Sequence, residues 1–560
     1  MPRAARKRRK ASAPPSGAPR GRRHDRRRLW TFAALGIILL VSGLRVMHLG
    51  FPLERDEGEF GYIAQEMLRG VPMYVSAYTQ KLPGTYLLYA LFVSVFGQSI
   101  TAIHLGLLLT NAAIMGLLFL TLRKTHNGLA GCIGALVFGV MALSPTVFGF
   151  AAHATFFVSL FAVAGLYVLL RARERRHPAL FLASGVCFGL AFLMEQPAIF
   201  FAPLALVLLA ADHVALEPRE PARFAREAVA LGAGAVAPVL LTAAYYVAIG
   251  QFPLFWFWAF QLAGAFSGQV GPAAAVQNLV IQTGAATDGF QLLWALAAVG
   301  LVVTLRDRSL GKDRYVYATF AAAAALSVVP GFYFTNHYYI AALPAVALLV
   351  GALGGGVAGE GATSGGRFAW AAGTWALIGV GLLVGLTRHA AYYFGGESDV
   401  TASRQIYTGN PFPESIAIGE YLKRHTTPQD RIAILGSETQ IYFYAQRRSA
   451  SRFVNTYFLT ADHPRNREMQ QEMIRDIERA RPKYIVFVAI PTSWTFRPKS
   501  PRDILAWTDK YRAGRYDVEG VVEMTRDGST SRWGAAARAP VTSDSYIVIM
   551  RRIDSGGAAG

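Results

Sequence analysis

The chain is predicted to be an α-helical polytopic membrane protein with a small extracytoplasmic α/β domain at its carboxyl end. Three observations predict this. Hydrophobic residues make up 53% of the 560 and charged residues 16%, with a mean hydropathy of +0.32, too apolar for a soluble chain of this length. The apolar residues gather in blocks of about twenty, the length a helix needs to cross a hydrocarbon core of roughly 30 Å. Beyond residue 387 the apolar runs shrink to strand length and alternate with amphipathic segments.

The blocks run over 29–48, 99–122, 129–145, 154–170, 179–194, 197–211, 227–249, 290–305, 315–330, 338–357 and 368–387, giving about 11 transmembrane helices. A further stretch, 84–97, is short and follows a polar loop, so it reads as a helix lying at the interface. The formal net charge of +20 is unevenly placed. Residues 1–28 and alternate loops carry 26 lysines and arginines, whereas the opposite loops carry three: Arg55, Arg69 and Lys81. This asymmetry puts the amino terminus in the cytoplasm and, after an odd number of spans, the carboxyl-terminal domain outside a cytoplasmic (inner) membrane. The basic segment 1–28 reads as a disordered topology anchor, not a nucleic-acid site. Cys132 and Cys187 both fall inside apolar blocks, which excludes a disulfide framework and a thiolate zinc site.

The division is therefore 1–28 tail, 29–387 membrane domain with its first outer loop at 50–98, and 388–560 outer domain. In the last, Arg431–Leu435, Tyr484–Ala489 and Ser545–Met550 read as strands, and segments near Glu414–Arg424, Arg465–Arg479 and Arg502–Tyr511 as helices. The aromatic run at 251–270 reads as an interfacial belt.

Three elements look chemical. The first outer loop holds Glu54, Asp56, Glu57 and Glu59 within six residues. Phe60, Ile63, Ala64 and Met67 then recur at helical spacing, which sets Asp56 and Glu57 at a helix start that favours anions. Lys81, in Lys81-Leu82-Pro83, is a cation at the same interface, suited to a phosphate leaving group. His337-Tyr338 precedes a late span inside an aromatic stretch.

Together, in this order, these elements resemble the GT-C membrane glycosyltransferases, in the bacterial branch related to protein O-mannosyltransferases and the lipid A aminoarabinose transferase. There an acidic pair opens the first outer loop, a Lys-Pro-Pro-like motif closes it, and a His-Tyr motif precedes a late span. The resemblance implies transfer of a sugar from a polyprenyl-phosphate-sugar donor to an envelope acceptor (protein, lipid A or polysaccharide) outside the membrane. It implies Asp56 as general base, Glu57 in support, and Lys81, His337 and Tyr338 at the donor phosphate. It implies no certain cofactor, and a divalent metal, if one is used, on Asp56 and Glu57. Two departures mark a rearranged pocket. His153-Ala154-Thr155 stands where many relatives carry an acidic residue, and Glu195-Gln196-Pro197 where many carry a lysine. The alternative reading is a transporter or flippase of lipid-linked sugars, against which stands the absence of an inverted repeat.

Overall fold

The computed structural model describes residues 20–214, 220–264, 268–357, 365–525 and 528–553. In chain order the first helices are α1 (Arg20–Val46), α2 (Arg55–Leu68), α3 (Gly84–Phe96), α4 (Ile100–Thr125), α5 (Gly128–Ala142), α6 (Ala154–Arg175) and α7 (Pro178–Met194). All eleven apolar blocks are helical. Among the described residues, seven helices are long and apolar enough to cross a membrane, or eight if a bent pair is one span. The other four of the eleven apolar blocks fall on shorter helices: α5, α7, Gln291–Arg306 and Arg314–Val328 hold 15, 17, 16 and 15 residues. Pro145, Pro178 and Pro330 lie at or just beyond the ends of three of them, where proline stops or starts a helix.

Two further differences concern helix extent. The tail was expected to be disordered through residue 28, but α1 begins at Arg20, because arginine is a good helix former and the apolar span nucleates the helix it extends. The rest of that tail, 1–19, lies outside the described residues. A helix also spans Pro272–Thr287, in what read as loop, and meets Gln291–Arg306 at 104°. The turn between them uses Gly289 at φ +79°, backbone that glycine adopts without strain. Helix α3, at 13 residues, buries Tyr86, Tyr89 and Val93 and exposes Leu87, Leu91 and Val95 on the other side.

The outer domain is a six-stranded mixed sheet in the order β2-β1-β3-β6-β4-β5. Its strands are β1 (Arg431–Leu435), β2 (Arg448–Ser449), β3 (Tyr484–Ala489), β4 (Tyr516–Thr525), β5 (Gly528–Trp533) and β6 (Tyr546–Arg552). β1 runs parallel to β2 and β3, and the remaining pairs are antiparallel.

This domain is built onto α2. A Cβ on Gly58 would stand 2.3 Å from the backbone nitrogen of Gln440, and one on Gly61 would stand 2.7 Å from the Phe443 ring, so the helix Gln440–Ala445 lies directly on α2. Gln65 Nε2 donates to the Phe443 carbonyl (3.0 Å) and the Thr439 hydroxyl to the Arg55 carbonyl (2.6 Å). On the membrane side, buried Arg45 donates to the carbonyls of Gly149 (2.8 Å) and Ala142 (2.9 Å). That closes the end of α5 and fixes the loop leading to His153.

Candidate active site

The four clustered carboxylates have four different partners. Glu54 and Glu57 form a capping box: Glu57 N–H donates to Glu54 Oε1 (2.8 Å) and Glu54 N–H to Glu57 Oε2 (3.2 Å). Glu57, fully buried, also accepts from Ala152 N–H (2.6 Å) and lies 3.1 Å from His104 Nε2. It therefore brackets α2 to α4 and to the loop before α6. Glu59 accepts from the hydroxyls of Tyr86 (2.6 Å) and Thr79 (2.8 Å), which orders the chain approaching Lys81. Asp56 faces Lys81 and the two histidines, and Glu54 Oε1 stands 3.9 Å from His153 Nδ1 at the edge of the same cluster.

Lys81 Nζ lies 2.9 Å from Asp56 Oδ1 and 4.4 Å from the Phe60 ring centroid. The Tyr74 hydroxyl donates to the Lys81 carbonyl (2.7 Å) and holds the turn. Burial pushes the Asp56 carboxyl up, but the Lys81 and His337 charges outweigh it and hold the group near 2. Burial likewise pulls Lys81 down, and Asp56 with Glu59 more than restores it, leaving the ammonium raised.

His153 and His337 stack with ring centroids 4.4 Å apart and planes within 9°. The Thr155 hydroxyl donates to the His337 carbonyl (3.0 Å), joining the start of α6 to the late span. Tyr338 meets His337 edge-on at 4.8 Å. Burial brings His153 down to about 4, so its imidazole is neutral at pH 7 and free to ligate or accept. One ligating atom from each of Asp56, His153 and His337 lies within 4.8 Å of the others, and His153 Nε2 is buried without a hydrogen-bond partner. A carboxylate and two imidazoles suit a divalent cation such as zinc or manganese. The sequence paired Asp56 with Glu57 for a metal. The fold instead turns Glu57 into the bracket and brings the two histidines to Asp56.

Glu195 joins the same electrostatic cluster. Burial raises its carboxyl to about 7, with Lys81 lowering it and Asp56 raising it. Gln196 Nε2 donates to the Gln80 carbonyl (2.7 Å), and the Thr85 hydroxyl to the Met194 carbonyl (2.9 Å), so the Glu195 turn and the Lys81 turn are one unit. Gly84 permits this approach: a Cβ there would stand 2.6 Å from the Leu193 carbonyl oxygen.

The sequence did not single out Arg55. Its Nε donates to the Ser437 carbonyl (3.0 Å), and its Nη2 reaches Asn410 Oδ1 (3.1 Å) and fully buried Glu438 Oε1 (3.2 Å). The outer domain thus grips the residue next to Asp56. A lone arginine among four acids was the available signal, and it was read as topology.

Comparison with known proteins agrees with this architecture. The family described as dolichyl-phosphate-mannose-protein mannosyltransferase matches residues 80–242, a segment that contains Lys81, His153 and Glu195. No curated protein matches the sequence. Among solved structures, ArnT from Cupriavidus metallidurans bound to undecaprenyl phosphate superposes with a TM-score of 0.59 at 14% identity, covering 94% of this chain and 98% of that one. The oligosaccharyltransferase AglB from Archaeoglobus fulgidus is similar with a TM-score of 0.49 at 13% identity, covering 91% and 75%. The arabinofuranosyltransferase AftD from Mycobacteria gives 0.49 at 14%, covering 94% and 40%. The chain is a multi-pass membrane protein with the fold of the GT-C glycosyltransferases.

Proposed function

We propose that the protein transfers a sugar from a polyprenyl-phosphate donor to an acceptor hydroxyl or phosphate on the outer face of the cytoplasmic membrane, with Asp56 as general base. The observation that carries this reading is the direct Asp56–Lys81 pair, a base and a phosphate-binding cation at one point. The donor class is supported by the undecaprenyl phosphate bound to ArnT, which shares the fold, and by the donor named in the matched family.

Asp56 removes the acceptor proton as the acceptor oxygen attacks the anomeric carbon. The bond from that carbon to the phosphate oxygen breaks, and Lys81 neutralises the departing phosphate. His337 and Tyr338 flank the phosphate, and Glu195 and His153 shape the sugar pocket. With Lys81 in contact, Asp56 is held near 2, too weak a base for a hydroxyl. A donor phosphate that draws the ammonium away raises Asp56, so donor binding switches the base on. A divalent ion, if bound, sits on Asp56, His153 and His337 and supplies positive charge for the phosphate.

The test is mass spectrometry of envelope lipids, glycans and glycoproteins from wild-type, deletion and Asp56→Asn strains at matched expression. Loss of one sugar-bearing species in both altered strains, with its polyprenyl-phosphate-sugar accumulating, is the expected result. Loss in the deletion alone removes Asp56 as base and advances a transport role.

A further inference from the structure

We infer that the cleft between α2 and the outer domain is a binding site for an anionic saccharide, one bearing carboxylate or phosphate. The cleft encloses about 650 Å³ and is lined by Arg431, Arg448, Arg452 and Arg479 against two carboxylates, Glu66 and Asp476.

The strand register makes this cluster unusual. Arg431 and Arg448 open the parallel strands β1 and β2 and are direct register partners. Their side chains therefore stand on one face, about 4.8 Å apart, where like charges repel. Arg431 donates across to the Ser449 carbonyl of β2 (2.7 Å), and Arg448 turns toward Glu66. Arg452 pairs with Glu472 at 2.6 Å beside the cleft, and the two acids that line the cleft are themselves shared. Glu66 already takes Arg69 at 2.6 Å and reaches Arg448 at 3.4 Å, while Asp476 accepts from the Ser451 hydroxyl (3.2 Å) and stands 3.9 Å from Arg452. Arg479 pairs with no carboxylate among the described residues. Planar guanidinium forks in a concave site match carboxylate and phosphate oxygens bidentately.

The size argues for a saccharide over a bare ion. The volume is that of a small-molecule site, and the lining mixes the arginines with acids and the Ser451 hydroxyl, partners for sugar hydroxyl groups. Tyr62 and Glu66 place the cleft six and ten residues beyond Asp56 on α2, roughly 9–15 Å along its axis. A ligand seated there and reaching Asp56 is an acceptor whose charged group binds away from the hydroxyl that reacts. That last step rests on the transferase reading; the anion site itself does not.

The experiment is a thermal-shift titration of the full chain in neutral detergent at constant ionic strength, with trigalacturonic acid, glucose 1-phosphate and maltotriose as probes. Saturable stabilisation by at least one anionic probe, and none by maltotriose, is expected in the wild type and in Asp56→Asn. Arg448→Gln with Arg479→Gln weakens that binding by roughly tenfold or more. Removing the same charge elsewhere on the domain, by Arg465→Gln with Arg475→Gln, leaves it unchanged. Arg448→Lys, which keeps the charge and loses the fork, also weakens binding and serves if the double variant misfolds. Equal response to maltotriose, equal weakening by both arginine pairs, or undiminished binding in Arg448→Lys overturns the site. Anion binding that persists while Asp56→Asn keeps transfer removes the Asp56 mechanism and leaves the site standing.

Discussion

The two ends of α6 carry charge in opposite ways. At its far end, Arg173 donates two hydrogen bonds to Asp212 (2.6 and 2.9 Å) and one to Asp313 (2.9 Å), and Lys312 donates to the Asp212 carbonyl (2.9 Å). Arg173, Asp212, Asp313 and Lys312 each have a partner. At the near end, about 30 Å away along the helix, Asp56, Lys81, His153 and His337 gather with a buried imidazole nitrogen left unpartnered. Both clusters join the same helix to neighbouring elements. A network that exists to hold helices together satisfies itself, whereas one built to meet a ligand keeps hydrogen-bonding capacity open.

The largest effect that would sharpen this contrast is at the open end. Asp56→Asn is expected to lower transfer by roughly a hundredfold to ten-thousandfold, the range for a general base, with little change in melting temperature. Measured rates of sugar release from the polyprenyl phosphate check it. A stability loss without a rate loss would place Asp56 with the closed network.

Next comes the closed end. Arg173→Gln leaves Asp212 buried without its bidentate partner, at a cost of about 3–5 kcal/mol. The expected outcome is a lowered melting temperature with transfer per folded molecule unchanged. A rate defect in the folded fraction would make this end part of the reaction.

Glu57→Gln tests the boundary between the two classes. The amide can still accept from Ala152 N–H but loses the charge beside His104, so a moderate stability loss is expected, on the order of 1–3 kcal/mol, read by thermal unfolding. Metal dependence should be unaltered, since Glu57 lies outside the Asp56 cluster; an altered metal requirement would return it to the site.

The smallest effect is at Glu195. Its carboxyl is raised to about 7, so it is neutral below that pH and charged above it. In the proposed mechanism a charged Glu195 in the sugar pocket disfavours the anionic donor, so transfer should fall as pH rises through 7. In Glu195→Gln that inflection should vanish while the acid-side rate stays within about twofold. A pH–rate profile that keeps the inflection assigns it elsewhere.

The features readable in the sequence are those with local causes. The apolar blocks became helices because composition alone dictates burial in lipid. The helices at 412–425, 466–480 and 503–512 followed from amphipathic spacing. β4 and β5 escaped notice because β5, Gly528–Trp533, is polar and partly exposed, without the apolar alternation that marks a strand. Asp56 and Lys81 were legible as charged residues in a sparsely charged region, and the fold puts them in contact. The division of labour among Glu54, Glu57 and Glu59 was not legible, because it depends on His104, Ala152 and Tyr86, which only tertiary folding brings close. His153 was noted as a departure from a pattern, yet its stacking on His337 joins residues 184 positions apart, a separation no local rule reaches.

The glycine faces of α2 have a consequence for rebuilding this protein from parts. With Gly58 and Gly61 seated on Gln440 and Phe443, the first outer loop and the outer domain fit as a matched pair, like a key cut for one lock. A chimera joined at residue 388 would mate one protein's loop with another's domain and displace Asp56 along with Arg55. The exchangeable module is discontinuous: residues 50–98 must travel with 388–560, together with His104, the loop before α6 and the Glu195 turn, which hold the same outer loop from the membrane side.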